Sequence, residues 1–461
     1  MWGRERASWG VALYGAVVGM ALFWVARDAM PDDGLISLSF ARNLAEHGQW
    51  ALTTGIESNT ATSPLNVWLL AGLILITGHA FVAVAALLAG CLAACAVWLR
   101  TLGGTPAALL GVALLATSPV LTSSIGLETY LAAAVLIGLL RYGAEDRLAL
   151  AGVFTAAAVL TRPDLIIAAV VAVAVLALAH RRVLWSLPLG GLIAAPWFAF
   201  SWWHFGSAWS NSVPFKSISG GWNGGTAFIY SADYFFGTWP TATIVIGVTF
   251  AGGLVALLIA VLRRWWVVAA LAGAGLAHWA ALAVTSAPPI EYYLGPAVTG
   301  LGLAAVLMVT GSRGWHVWSG LIVAGSVALS VAHGSLWAEG LAPMRQNWAT
   351  DAQYARMADE LPTDGVIYTT TEIGALAFYC QDRGCTVIDQ FLAYPAATDE
   401  YVQRWRDAHP WAEWNYHRYH RSTPISARYE LDYRAADPEP GDWPITRSPG
   451  FYQSARLTPL G

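Results

Sequence analysis

A chain of 461 residues that is 56% hydrophobic and only 12% charged is not an ordinary soluble domain, in which charged residues make up about 25%. Its formal net charge of −4 offers no basic field for nucleic acid. The 24 tryptophans, many near the ends of apolar runs, suit rings that sit at membrane–water boundaries.

The first apolar run, 9–26, follows Arg4 and Arg6. No small-residue cleavage site follows it, so it reads as an uncleaved first span rather than a signal peptide. Further runs fall at 64–77, 80–99, 105–121, 127–140, 148–161, 164–179, 183–203, 241–262, 265–284, 292–310 and 315–333. A helix needs roughly 20 residues to cross the hydrocarbon core. The 64–77 run is short and opens with Ser63-Pro64. If it spans, the later arginine clusters fall alternately on the wrong sides; if it lies on the outer face, all of them are cytoplasmic. Those clusters are Arg4/Arg6, Arg100, Arg141/Arg147, Arg181/Arg182, Arg263/Arg264 and Arg313. The expectation is a multi-pass cell-membrane protein with eleven spans, its N-terminus cytoplasmic and its C-terminus outside. Residues 1–334 form the membrane domain.

On that reading five polar segments face outward: Arg27 to Ser63, Gly126-Leu127-Glu128, Thr161 to Asp164, His204 to Pro240, and Ser286 to Tyr293. Beyond Gly334 the composition turns to charge, proline and tyrosine, marking a water-soluble domain over 335–461. Its runs Gly365–Thr370 and Thr386–Asp389 read as strands, and Trp348–Leu361 and Thr398–His409 as helices. A small α/β module is expected there. Cys91 and Cys95 lie inside an apolar run and read as buried small residues. Cys380 and Cys385 flank a short polar loop, and outside the cell they suit a local disulfide.

Asp32 and Asp33 follow the first span directly. The segment 34–48 places apolar residues at 35, 36, 40, 41, 44 and 45, the pattern of an amphipathic helix lying along the interface and stopped by Gly48. Carboxylates at headgroup depth are costly. One of them could serve as general base on an acceptor hydroxyl, the pair could hold a divalent cation such as Mg or Mn, or one could simply cap the helix. Glu128 opens a helix at the outer end of a span, where it either favours the helix dipole or faces the same cavity. Arg162 and Asp164 either pair in an interfacial turn or present Arg162 to an anionic group. Lys216 is the only lysine; the other 24 of the 25 Lys+Arg residues are arginines. A flexible ammonium on an outer loop suits a phosphate, or it snorkels. His409, His417 and His420 lie in an aromatic, arginine-rich stretch that reads as a solvated or glycan-contacting face, with metal binding as the lesser alternative.

The stretch Asp32-Asp-Gly-Leu-Ile-Ser-Leu-Ser-Phe-Ala-Arg42-Asn-Leu-Ala-Glu-His-Gly48, continuing to Ala61-Thr-Ser-Pro-Leu-Asn-Val-Trp68, resembles the opening of the GT-C superfamily of polyprenyl-phosphate-sugar glycosyltransferases. Within that superfamily it is most similar to the mycobacterial terminal arabinofuranosyltransferases. Gly126 to Thr129, Thr161 to Asp164, the Asn211 to Lys216 loop, Glu372 to Tyr379 and Val387 to Asp389 extend the likeness in order along most of the chain. Two departures stand out: Ser210-Asn211-Ser212 replaces the usual Pro-Asn-Thr, and Glu291-Tyr-Tyr-Leu-Gly-Pro296 stands where an arginine is common.

The resemblance implies an all-α polytopic membrane fold of the GT-C type with juxtamembrane helices in the first outer loop. It also implies a catalytic carboxylate at Asp32 or Asp33 and a lipid-phosphate sugar donor near Lys216 and Arg162. Glu128, Asp164, Asn211, Arg42 and Glu291 are the polar residues then expected to line the substrate cavity. The expected partners are the bilayer, a polyprenyl-phosphate sugar (arabinofuranose by resemblance) and a cell-wall glycan acceptor. A mannosyltransferase acting on protein or lipid, and a transporter or glycan-binding scaffold, are the rival readings. Transporters place charges at the bilayer midplane, whereas here they gather at span ends.

Overall fold

The computed structural model describes residues 2–218, 228–285, 287–311, 325, 328–329, 332–344, 347–369, 372–389, 395–419, 425–447 and 451–460. The run 315–333, expected as the last span, lies largely outside them. Helix α1 (Trp2–Ala26) runs into a short turn at Arg27–Ala29, and α2 (Asp32–His47) begins after Pro31. A two-stranded hairpin, β1 (Ala51–Thr53) and β2 (Ile56–Glu57), leads to α3 (Pro64–Thr77). Then come α4 (Ala80–Thr117), α5 (Pro119–Thr122), α6 (Thr129–Ala144), α7 (Leu148–Thr161), α8 (Leu165–Leu176), α9 (Ser186–Phe205) and α10 (Ser212–Ile218). The bundle closes with α11 (Ser231–Thr238), α12 (Pro240–Arg263), α13 (Trp266–Val284) and α14 (Gly295–Thr310).

Among the described residues six helices are long and apolar enough to cross a membrane. One of these, α4, contains two of the expected runs. The backbone breaks at Gly104 (φ 82°), where the left-handed region favours glycine. The chain then folds back so closely that a Cβ on Gly111 would lie 2.4 Å from Leu99 Cδ1. Helices α3, α6, α7 and α8 have only 12–16 residues, roughly 18–24 Å at 1.5 Å per residue. Length alone therefore does not separate α3, read from charge parity as lying on the outer face, from α7, read as a span.

Close helix packing depends on small residues, as expected where lipid supplies no hydrophobic drive between helices. Gly15 and Gly19 on α1 sit against the backbone of Leu92–Ala93 and Ala89 on α4, where an added Cβ would lie 2.5–2.8 Å away. Gly275 and Gly300 do the same between α13 and α14.

The C-terminal domain comprises α15 (Gly334–Ala338), α16 (Asp351–Glu360), α17 (Gly374–Arg383), α18 (Pro395–Ala408), α19 (Glu413–Tyr416) and a five-stranded sheet. Strands β3 (Val366–Thr369) and β4 (Thr386–Asp389) match the two expected strands and pair in parallel. Three more, β5 (Tyr429–Arg434), β6 (Trp443–Arg447) and β7 (Phe451–Pro459), complete the order β4-β3-β5-β7-β6. The expected Cys380–Cys385 disulfide is present, tying the end of α17 to the start of β4. Helix α16 opens with a capping box between Thr350 and Gln353.

Helix α2, expected to lie along the interface, is buried from Gly34 to Ala41, held between α3 and α17. Its apolar residues have a second partner because the C-terminal domain closes over them. That sandwich positions the candidate site.

Candidate active site

Asp32 opens α2 and is only 8% exposed. One carboxylate oxygen, Oδ1, accepts the backbone N–H of Ala375, at the start of α17, at 2.7 Å. The backbone N–H of Asp32 donates to Asn347 Oδ1 at 3.1 Å, and Asn347 Nδ2 donates to Met30 O. Met30 N in turn donates to Asp351 Oδ2 at 2.9 Å. Gly374 leaves no room for a side chain, since a Cβ would lie 2.1 Å from the backbone oxygen of Asp32. Burial pushes the Asp32 carboxyl up to about 7; backbone N–H groups of α17 oppose the shift, and the neighbouring Asp33 charge adds to it. Asp33 is partly open, and its charge lies close to Tyr292.

A second cluster lies beside it. Arg162 Nε and Nη2 bind Asp164 at 3.0 and 2.8 Å, and Nη1 binds Glu128 Oε1 at 3.1 Å. Tyr292 and Tyr293 lie over the guanidinium, at 5.6 and 4.8 Å to the ring centres. Glu128 begins α6 yet makes no cap bond, because its side chain turns to Arg162. His278 on α13 is fully buried and places Nε2 3.0 Å from Asp164 Oδ2. Burial alone would raise the Asp164 carboxyl, but the Arg162 charge and the His278 bond outweigh it and hold it far below the usual carboxylate range. Arg162 is kept charged by Asp164 and Glu128 against the cost of its own burial.

The structure thus brings together Asp32, Asp33, Glu128, Arg162 and Asp164. Glu291 is buried next to Tyr292. Arg42 is elsewhere. It lies ten residues along α2 from Asp32, roughly 15 Å at 1.5 Å per residue. It binds Glu46 at 2.9 Å and Asp382 of α17, so its observed role is to fasten the C-terminal domain. Asn211 is buried, and its N–H donates to Asn59 O at 2.7 Å, docking its loop on the first polar segment. Lys216 falls on α10, and its side chain lies outside the described residues. His409 stacks on Trp405 and His417 on Trp202; His420 lies outside the described residues. Among the described residues no group of three His, Cys, Asp or Glu side chains could hold a metal ion.

Sequence reasoning missed His278, Tyr292, Asn347 and the Gly374–Ala375 turn. The first had a signal, as the one titratable group within the apolar run 266–284. Also missed was a small apolar cleft lined by Asn66, Leu88, Cys91, Gly126, Tyr130 and Leu131 among others. The Oδ1 of Asn66 is buried there without a hydrogen-bond partner. Gly34 of α2 packs on Ile125–Gly126, which line the cleft, so the cleft lies close to the start of α2.

Two solved structures share this fold over almost the whole chain. They are ArnT from Cupriavidus metallidurans in the apo state, with a TM-score of 0.58, and ArnT from the same organism bound to undecaprenyl phosphate, with a TM-score of 0.54. Each is 14% identical and covers 97% of this chain and 98% of that chain. The likeness shows the fold, the GT-C type expected from the sequence. No protein-family model and no curated protein matches the chain.

Proposed function

We propose that this chain is a membrane glycosyltransferase that moves a sugar from a polyprenyl phosphate to a glycan on the face carrying the C-terminal domain. Asp32 carries the reading. Its buried carboxyl, raised to about 7, sits beside an apolar cleft in a fold shared with a protein crystallised with undecaprenyl phosphate. A general base works best with a pKa near the operating pH. Ionised Asp32 takes the proton of the acceptor hydroxyl, the acceptor oxygen bonds the anomeric carbon, and the carbon–oxygen bond to the lipid phosphate breaks. The polyprenyl phosphate leaves with that electron pair. The tail would lie in the cleft lined by Leu88 and Leu131. Asp33, beside Tyr292, would orient the sugar. Arg162 is already balanced by two carboxylates, which leaves Lys216 for the leaving phosphate.

Arabinofuranose is the sugar the sequence likeness favours, with a cell-wall glycan as acceptor. The Cys380–Cys385 bridge supports placing the C-terminal domain outside the cell, where disulfides persist. A Mg or Mn ion at Asp32 and Asp33 fits poorly, because such ions take about six oxygens and Asp32 Oδ1 is already engaged by Ala375. The reaction therefore needs no metal on this reading, and transfer should survive EDTA.

The test uses the purified chain in lipid with labelled polyprenyl-phosphate arabinose or polyprenyl-phosphate mannose and a cell-wall glycan. Label should move from the arabinose donor to the glycan. Transfer from the mannose donor alone would overturn the sugar assignment, and transfer from neither would overturn the reading.

A further inference from the structure

Helix α9 is long and apolar enough to cross a membrane; if it spans, its last turn, Trp202 to Phe205, lies at a membrane–water boundary. The helix ends at Gly206 in the left-handed region (φ 76°). The backbone of Arg418–Tyr419 rests directly on that glycine, where a Cβ would lie 2.6–2.8 Å away. Arg418 lies 4.1 Å from the Trp203 ring centre and 5.5 Å from that of Trp202. Helix α19 is pinned to the same boundary. Asn415 accepts the N–H of Ala208 at 2.7 Å and donates to Ser207 Oγ at 2.8 Å, while Trp209 Nε1 donates to the Tyr416 hydroxyl at 2.8 Å.

This part of the C-terminal domain is therefore fixed at the depth where a span leaves the bilayer, yet two of its indoles and one at the end of α9 are uncovered. Trp203, Trp411 and Trp414 are 67%, 65% and 59% exposed. Two of them make ring contacts: Trp411 packs edge-on against Trp405 and Trp414 against Trp209, each at 5.7 Å. Exposed apolar rings held together at such a depth call for a partner. Indoles favour the headgroup layer, where the ring is apolar and the N–H is wet. The charges agree. Arg406 is neutralised by Glu413, whereas Arg418 has no ion pair among the described residues and can meet a lipid phosphate.

We propose that Trp411, Trp414 and Trp203, with Arg418, form a membrane-interface anchor that seats the C-terminal domain on the phospholipid headgroup layer. The anchor rests on the span reading of α9 and is independent of the sugar chemistry. It has a consequence for the site, because α18 packs on α10, with Phe215 and Tyr401 edge-on at 5.0 Å. Seating the domain thereby sets the height of the Lys216 helix over the bilayer.

The test places nitroxide labels at Trp411→Cys or Trp414→Cys in the full chain, with Asp437→Cys in the exposed β5–β6 turn as reference. Cys91 and Cys95 are buried and Cys380–Cys385 is bridged, so without reductant the new thiol is the one labelled. The chain is held in nanodiscs of phosphatidylethanolamine and phosphatidylglycerol. Collisions with oxygen, which partitions into lipid, are compared with collisions with a water-soluble nickel chelate. The anchor labels should show an oxygen-to-nickel ratio several-fold above that of the Asp437→Cys label. Equal ratios at all three positions would overturn the proposal. So would equal ratios with anchor labels that cell-wall oligosaccharide shields from both probes, the signature of a sugar-stacking platform.

Discussion

Two carboxylate centres lie side by side in this molecule, and their burial is compensated in opposite ways. Asp164 and Glu128 share the guanidinium of Arg162, with His278 and two tyrosines closing the cluster. Among the described residues no cation is bonded to Asp32, which is held by backbone N–H groups at the start of a helix from another domain. Asp164 is consequently driven far below its ordinary pKa while Asp32 is driven up to about 7. The first arrangement makes a fixed strut. The second leaves a carboxyl that gains and loses a proton under ordinary conditions, which is what chemistry on a hydroxyl requires.

The sharpest way to break this contrast is Asp32→Asn, which keeps shape and removes the titration. Loss of a general base costs about 10²–10⁴ in rate, so transfer by the reconstituted variant should fall by that order while its thermal midpoint holds or rises. The wild-type rate should rise with pH through about 7, as Asp32 ionises. Stability should move the other way. Below the unfolded value of 3.8 the carboxyl is protonated in both states, and between there and about 7 only the folded state keeps the proton. Stability from this group is therefore lost as pH rises through that window. A variant that keeps full activity would remove Asp32 from the reaction.

Arg162→Met should show the opposite profile, with the structure failing first. Removing one partner of a buried ion pair costs about 3–5 kcal/mol because the remaining charges lose compensation. The thermal midpoint in detergent should drop markedly, and adding Glu128→Gln should restore part of it. If Arg162→Met were as stable as wild type but inactive, Arg162 would belong with the reacting groups.

Gly374→Ala probes how Asp32 is held. The added Cβ would meet the Asp32 backbone at 2.1 Å, so either α17 or α2 must shift. A displacement of about 1 Å can cost a hundredfold, and a fall of about 10–100-fold in kcat with little change in KM is expected. An equal loss in a variant altered far from this turn, such as Gly48→Ala, would show general misfolding instead.

Asp32, Asp33, Glu128, Arg162 and Asp164 were legible in the sequence because charge is expensive near a bilayer and stands out at the ends of apolar runs. Which of them is compensated by a cation and which by backbone N–H groups was not. It depends on Asn347, Gly374 and Ala375, more than 300 residues from Asp32 and without charge. Arg42 was misplaced for a related reason: a charged residue inside a motif reads as part of the site, although its partner, Asp382, lies on a helix only the fold brings near. In the C-terminal domain, β3 and β4 showed as short apolar runs. Strand β5, Tyr-Glu-Leu-Asp-Tyr-Arg, alternates, with Leu431 and Tyr433 buried, but its three charges hid the pattern.

The smallest effect expected is at Arg42, and it tests where the contrast ends. The Arg42 side chain is 15% exposed but its partners Glu46 and Asp382 are 41% and 55% exposed, so solvent screens much of the attraction. Pairs of this kind contribute about 0–1 kcal/mol. Arg42→Gln should therefore shift the thermal midpoint only slightly and leave KM for donor and acceptor unchanged, because the Ala375 and Asn347 contacts already hold α17 and Asp32 together. A rise in KM without loss of stability would mean that Arg42 reaches substrate. The carboxylate site would then extend along α2 to the Arg42–Asp382 junction.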